Sequence, residues 1–295
     1  MTRPRAELRA SSRPTPARRS VWAMLAPLYV WTLAFVALPI GYVFFMSVLK
    51  TGANWGLVYE FTPRNFARIA DPLYLGVFID SGRVALLTTA ITLLLAYPFA
   101  YAMARMSARG RNLVMLLVVV PFWTSALART YGWIILMRNN GLINQFLLGV
   151  RVIDQPLKML YTEGAVLVGM AYSLLPFMIL PLYASLEKLD WSCVEAARDL
   201  GAAKARTLLT VTLPLTMPGV VSGCVLVFIP SLGLFFISDL LGGAKHMMLG
   251  NLIHNQLTTA RDWPFGAALS VVMIALTLSL LTLYRRVTGG DLEVM

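Results

Sequence analysis

Few side chains in this 295-residue sequence are suited to chemistry, and their spacing argues against catalysis. His246 and His254 are too far apart for a metal pair on one helical turn, and Cys193 and Cys224 lack the CxxC spacing of a zinc or redox site. Each cysteine lies in or near an apolar segment, where a thiol is usually a small buried hydrophobe. No GxxxxGK[ST] phosphate loop, HExxH zinc motif or GxSxG nucleophile elbow occurs. What remains is a polar insert, "VEAARDLGAAKARTLLTVTLPL" from Val194 to Leu215, set among long apolar runs. Such an insert is either an interfacial linker or a docking element for another protein.

Its local grammar is helical. Ser192 reads as a helix start, with Glu195 three residues on able to close a capping box. Ala196 and Ala197 give a small-surfaced helix that a partner can approach closely. Gly201 permits the positive φ of a helix terminus, and a second short helix from about Ala203 to Thr210 should stop before Pro214.

The elements that must hold this insert are membrane spans. The chain is 58% hydrophobic and 13% charged, with mean hydropathy +0.70, more apolar surface than a soluble domain can bury. Six segments are long enough to cross a bilayer: about Val21–Val48, Val84–Met103, Leu113–Met137, Val166–Leu186, Gly219–Leu241 and Gly266–Tyr284. The expected fold is therefore an all-α membrane protein of six transmembrane helices with both termini on one side. Arg3, Arg5, Arg9, Arg13, Arg18 and Arg19 crowd residues 1–20, an aperiodic tail read as disordered. By the positive-inside rule that tail, the insert (residues 190–215) and the C-terminal tail (287–295) are cytoplasmic, with the six-span body at 21–286. The first run is too long for a signal-peptide core and lacks a clear cleavage site, so it reads as an uncleaved helix. The basic excess, 25 Lys and Arg against 14 acids, serves membrane orientation and does not indicate nucleic acid. Proline occurs in all but the last segment, at Pro27, Pro39, Pro98, Pro121, Pro176, Pro181 and Pro230, so bent or cavity-lining helices are expected.

The pattern Glu195-Ala196-Ala197, three residues, Gly201, nine residues, Val211-x-Leu213-Pro214 resembles the EAA loop of ABC importer permeases, with Val211 where isoleucine is commoner. Further stretches, "VPFWTSALARTYGW" (Val120–Trp133), "VIDQPL" (Val152–Leu157), "LPFMILPLYASLEKLD" (Leu175–Asp190), "SDLLGGAKHMMLGNLI" (Ser238–Ile253) and "RDWPFGAALS" (Arg261–Ser270), are similar to the first membrane subunit of spermidine/putrescine importers. The resemblance runs from about Pro27 to Arg286 and leaves out the arginine-rich tail. It implies a type I importer fold and a heterodimer with a second homologous permease. It also implies two ATPase subunits that bind ATP and Mg, and a periplasmic substrate-binding protein. On that resemblance Glu195, Ala196, Ala197, Gly201, Leu213 and Pro214 form the coupling element that docks on the ATPase. This subunit itself is expected to hold no cofactor or metal and to catalyse nothing.

A polyamine path should offer carboxylates and aromatic faces to ammonium groups. Asp239, Trp123, Tyr97 and Tyr131 are the candidates, each with an ordinary structural role as the competing explanation. Arg129, inside the third run, calls for either a carboxylate from the companion subunit or an extended side chain reaching the outer interface. The run "MMLGNLI" after Gly243 is apolar enough to dip back into the protein before Trp263, and its loop is expected to face the periplasm and the binding protein. The rival functions are a permease of the same architecture for an anion or metal complex, an ion-coupled secondary carrier, and a non-transporting membrane scaffold. The second would call for inverted repeats, and none is evident.

Overall fold

The computed structural model describes residues 17–52, 56–243 and 247–287, with side chains from residue 25 to 286. Most of the arginine-rich tail, His246 and the C-terminal tail lie outside these residues. Ala17–Ser20 already belong to the first helix, which is earlier than the sequence boundary suggested.

That helix, α1 (Ala17–Thr32), continues through a π-helical turn (Leu33–Ala37) into α2 (Leu38–Ser47). The π turn directly precedes Pro39, whose missing N–H and bulky ring disfavour a regular i→i−4 ladder there. A short antiparallel hairpin of β1 (Leu49–Thr51) and β2 (Leu57–Phe61) follows, a small departure from the all-α expectation. Asn65 anchors it from α3 (Arg64–Ile69): its buried amide donates to the carbonyls of Ser47 and Leu49 at 2.9 and 2.8 Å.

Next come α4 (Pro72–Ala104), α5 (Ala108–Val119), a 3-10 turn (Val120–Trp123), α6 (Ala126–Met137) and α7 (Leu142–Gly149). After them lie α8 (Glu163–Glu187), α9 (Trp191–Asp199) and α10 (Lys204–Thr207). A second π turn (Leu208–Thr212) leads into α11 (Leu213–Leu215) and α12 (Met217–Gly233). The chain ends with α13 (Phe235–Gly242), α14 (Leu249–Thr258) and α15 (Trp263–Val287).

The six expected spans are not six straight helices. Four helices among the described residues are long and apolar enough to cross a membrane alone: Leu25–Ser47, Pro72–Ala104, Glu163–Glu187 and Trp263–Arg286. The third expected span is bent, and the fifth is entered through a bend at Thr216, just before its expected start at Gly219. Ala108–Trp123 meets Ala126–Gly149 at 96°, and Lys204–Leu215 meets Met217–Gly233 at 73°, so the number reaches six only if each bent pair is one span. The fifth is interrupted at Leu234, which lies between α12 and α13. Proline bends some helices and not others. Pro121 sits in the 3-10 break, whereas α4 and α8 run on through Pro98, Pro176 and Pro181.

α8 is the centre. More than half of its most apolar window is buried (56%), against none of the corresponding window in Leu25–Ser47. Met178, Leu182 and Leu186 pack against Ala96, Ala100 and Met103 of α4 and Val227 of α12. Close approach comes from small residues four apart on α12. A β-carbon at Gly219 would lie 2.7 Å from the carbonyl oxygen of Pro181, and one at Gly223 would lie 2.6 Å from Met178 Sδ. Two buried hydroxyls in α4 are satisfied within the helix, Thr89 donating to the Ala85 carbonyl at 2.7 Å and Thr92 to that of Thr88 at 2.6 Å, while Thr88 donates across to Met170 Sδ on α8.

Candidate functional site

The polar insert folds as a helix–turn–helix unit under the end of α4 and α8. Asp190, not Ser192, is the N-cap of α9: its carboxylate accepts from the Ser192 amide at 3.0 Å. Donation from the Ser192 hydroxyl, and then from its amide, holds the exposed Asp190 carboxyl below its usual pKa. The helix begins earlier than the sequence reading, because an aspartate two residues upstream outcompetes the serine, and Glu195 is left free of any capping role. Trp191 packs edge-on against Tyr101 of α4, ring centres 5.6 Å apart, with the Arg105 guanidinium 5.4 Å from the indole. Val194 is buried beneath the helix.

The opposite face is open. Glu195 and Ala196 are exposed and Ala197 half-buried, and the helix ends on Leu200, which is 90% exposed. Gly201 adopts φ +85°, and the Gly201 and Ala202 amides donate to the carbonyls of Arg198 (2.8 Å) and Ala197 (3.1 Å). This pair of bonds is a Schellman closure, which needs a residue free to take positive φ. Leu200 was missed in the sequence, although an unbroken apolar residue just before a terminal glycine was a visible signal.

The second short helix does not stop before Pro214. The chain stays helical from Lys204 to Leu215, and the π turn at Leu208–Thr212 absorbs the proline. Leu213 and Pro214 thus lie in the last helical turn before the bend at Thr216, which leads into α12.

Of the four path candidates, two come together. Asp239 and Tyr131 line one cavity of about 750 Å³ with Arg138 and Tyr161. Asp239 is exposed, and its carboxylate accepts a short bond from the Asn251 amide. Asn251 is buried at 3% exposure, donates to the Phe235 carbonyl at 3.2 Å and accepts from the Met248 amide at 3.1 Å. It therefore fixes Asp239 and ties α14 to the Phe235 carbonyl at the start of α13. Met248, Leu249 and Leu252 are buried, so the apolar run after Gly243 does fold back into the protein, as the helix α14. Asn251, Arg138 and Tyr161 were not singled out in the sequence. The signal for Asn251 was an amide in the middle of "MMLGNLI".

The other two candidates lie elsewhere. Tyr97 lines a separate cavity of about 880 Å³ beside the insert and shares a hydrogen bond with the Thr216 hydroxyl at 3.1 Å. Trp123 is 82% exposed at the end of the 3-10 turn. Arg129 finds partners within its own chain, although its buried Nε has none among the described residues. Its guanidinium donates to the carbonyls of Pro121 (2.7 Å) and Thr124 (2.8 Å) and lies 4.6 Å from the Phe122 ring centre. The bend releases carbonyls, and Arg129 caps them.

At the head of α15 a second polar knot ties distant segments. Asp262 accepts from the Thr51 hydroxyl and from Arg68 at 2.7 Å, and the Arg68 guanidinium stacks 4.0 Å from the Phe265 ring centre. Burial would raise the Asp262 pKa, but donation from Thr51 and Arg68 outweighs it and holds the carboxyl below its usual range. No group of three or more potential metal ligands occurs among the described residues.

Residues 96–289 match the family model described as binding-protein-dependent transport system inner membrane component. The chain is 44% identical over 263 residues to the spermidine/putrescine transport system permease protein PotB of Escherichia coli strain K12, covering 89% of this chain and 96% of that one. It is 41% identical over 263 residues to the protein of the same name from Haemophilus influenzae, covering 89% and 92%. A crystal structure of a bacterial alginate ABC transporter in complex with an alginate pentasaccharide-bound periplasmic protein has a chain that superposes with TM-score 0.70. It covers 92% of this chain and 95% of that one. At 16% identity that likeness bears on the fold alone.

Proposed function

The chain belongs to the family of binding-protein-dependent transport system inner membrane components, and on that premise we propose that it is the permease subunit of an ABC importer that carries spermidine or putrescine into the cell. It is a multi-pass inner-membrane protein. The polyamine assignment is supported by 44% identity to a spermidine/putrescine permease along nearly its whole length.

The observation that carries the mechanism is the free face of α9, presented by a helix that is pinned to α4 through Trp191 and buries Val194 on its other face. In this reading Glu195, Ala196, Ala197 and Leu200 enter a cleft of a separate ATPase subunit, one of two that bind ATP and Mg. Gly201 lets the chain reverse without strain, and Leu213–Pro214 transmits the displacement into α12. ATP binding closes the ATPase pair and moves α9 as a rigid body. The bend at Thr216 converts that movement into a change in tilt of the helices around the path. A second homologous permease completes the path, and a periplasmic binding protein delivers the cargo. In this reading the N-terminus and the insert face the cytoplasm, an orientation supported by the arginines near the first span.

Asp239 and Tyr131 act on the cargo. The carboxylate takes one ammonium group while Tyr131 and Tyr161 offer ring faces, and Asn251 holds the acid in place. The test is uptake of labelled spermidine and putrescine in cells with the gene deleted and restored. Loss and recovery of either flux supports the reading; unchanged fluxes of both would move the cargo to another solute while leaving the family intact.

A further inference from the structure

Beside the insert, the cavity of about 880 Å³ runs along α4 from Ala90 to Arg105, a length of about 22 Å for fifteen residue steps. Its walls are apolar, built from Leu93 and Leu94 of α4, Leu208 and Leu209 of the π turn and Leu213 of α11. Leu94 is 77% and Leu209 62% exposed, so the groove is open along its side. Three cations stand where α4 ends and the insert turns: Arg105, Arg198 and Lys204. No carboxylate lines the groove. None of the three is in an ion pair among the described residues.

These features select a ligand in two parts. The cluster of positive charge repels a polycation and attracts an anion, which separates this groove from the cavity that holds Asp239. A free phosphate would neutralise the cations but leave the apolar length uncovered. The length is more than one leaflet's half of a bilayer core about 30 Å thick, enough for an acyl chain to lie beside the Leu ridge. Basic pockets between membrane helices at the cytoplasmic surface suit lipid phosphates, each cation contributing a modest attraction. We propose that this groove is a binding site for an anionic phospholipid, its headgroup held by Arg105, Arg198 and Lys204 and one acyl chain against Leu94 and Leu209. The lipid would wedge between α4 and the segment that leads from α9 into α12. The proposal goes beyond the transport assignment and does not depend on which cargo is carried.

The test uses the assembled importer in nanodiscs of phosphatidylglycerol and phosphatidylethanolamine, with Leu94→p-benzoylphenylalanine and irradiation. The expected result is a phospholipid adduct at position 94, enriched about tenfold in phosphatidylglycerol over its share of the nanodisc. Arg105→Gln with Lys204→Gln should return the adduct to the bulk lipid ratio, with assembly checked by co-purification and Lys204→Gln alone as the milder variant. An adduct to the companion permease or the ATPase would overturn the proposal by naming a protein occupant. So would an unenriched lipid ratio, a ratio that neither variant changes, or loss of labelling on adding millimolar inorganic phosphate.

Discussion

Asp262 is the residue whose charge the fold uses most visibly. It accepts from Thr51, Arg68 and the Phe265 amide, so one carboxylate joins the hairpin, α3 and the start of α15. Its pKa is lowered in the folded chain, so its stabilisation is fully present above the unfolded value near 3.9 and is lost as pH falls through the lower folded value. Thermal unfolding in detergent should therefore show the purified protein weakening below about pH 4. Asp262→Asn, less stable by about 2 kcal/mol at neutral pH, should show a flatter acid profile. Arg129→Met leaves the Thr124 carbonyl without its donor, while the Pro121 carbonyl keeps the Thr124 amide and hydroxyl, and should cost about 1 kcal/mol in the same assay. Asp239→Asn should reduce uptake with the complex still assembled, and unchanged kinetics would remove Asp239 from the path. These roles were unevenly legible. Asp239 stood out because an acid beside an apolar run is expensive. The partners of Arg129 did not, since they are backbone carbonyls that exist as acceptors only because the helix breaks.

At the scale of elements, α9 and the α8–α12 contact make different predictions. Gly201 has open space around its α-carbon, so a side chain there meets no clash, but its φ of +85° disfavours any other residue. Gly201→Val should strain the turn by roughly 1–2 kcal/mol, reduce uptake, and leave the binding protein's affinity for polyamine unchanged. Full uptake would remove α9 from the coupling role. Gly219→Leu should instead impair folding, because the β-carbon already collides with α8 at the Pro181 carbonyl. Lower yield and a lower unfolding temperature are the expected readouts. Apolar length located the four single-helix spans, although α4 starts at Pro72 instead of the expected Val84, and the EAA spacing located α9 to within a residue or two. The breaks were hidden for a physical reason. A proline in a membrane helix can be absorbed, as at Pro176 and Pro181, or can accompany a bend, as at Pro121, and tertiary packing decides which. Asp190 as the cap of α9 was hidden by a competing capping box at Ser192 and Glu195.

For the whole molecule, the exposed apolar surface of α1 and α2 matters most, with Trp31 61% and Leu33 68% exposed. Such a rod is stable only in lipid or against another chain. Length and composition made the membrane class plain. The placement of Tyr97 and Asp239 in two different cavities could not be read from a linear sequence, because it depends on which end of the bundle each helix face meets. The most direct measurement of the central claim is ATP-driven uptake of labelled spermidine into proteoliposomes holding the complete importer with wild-type chain or Glu195→Ala. The account predicts ATP-dependent flux with the wild type, and at least a severalfold loss in the variant while binding-protein affinity is retained. Equal flux from both would contradict docking of the ATPase through α9.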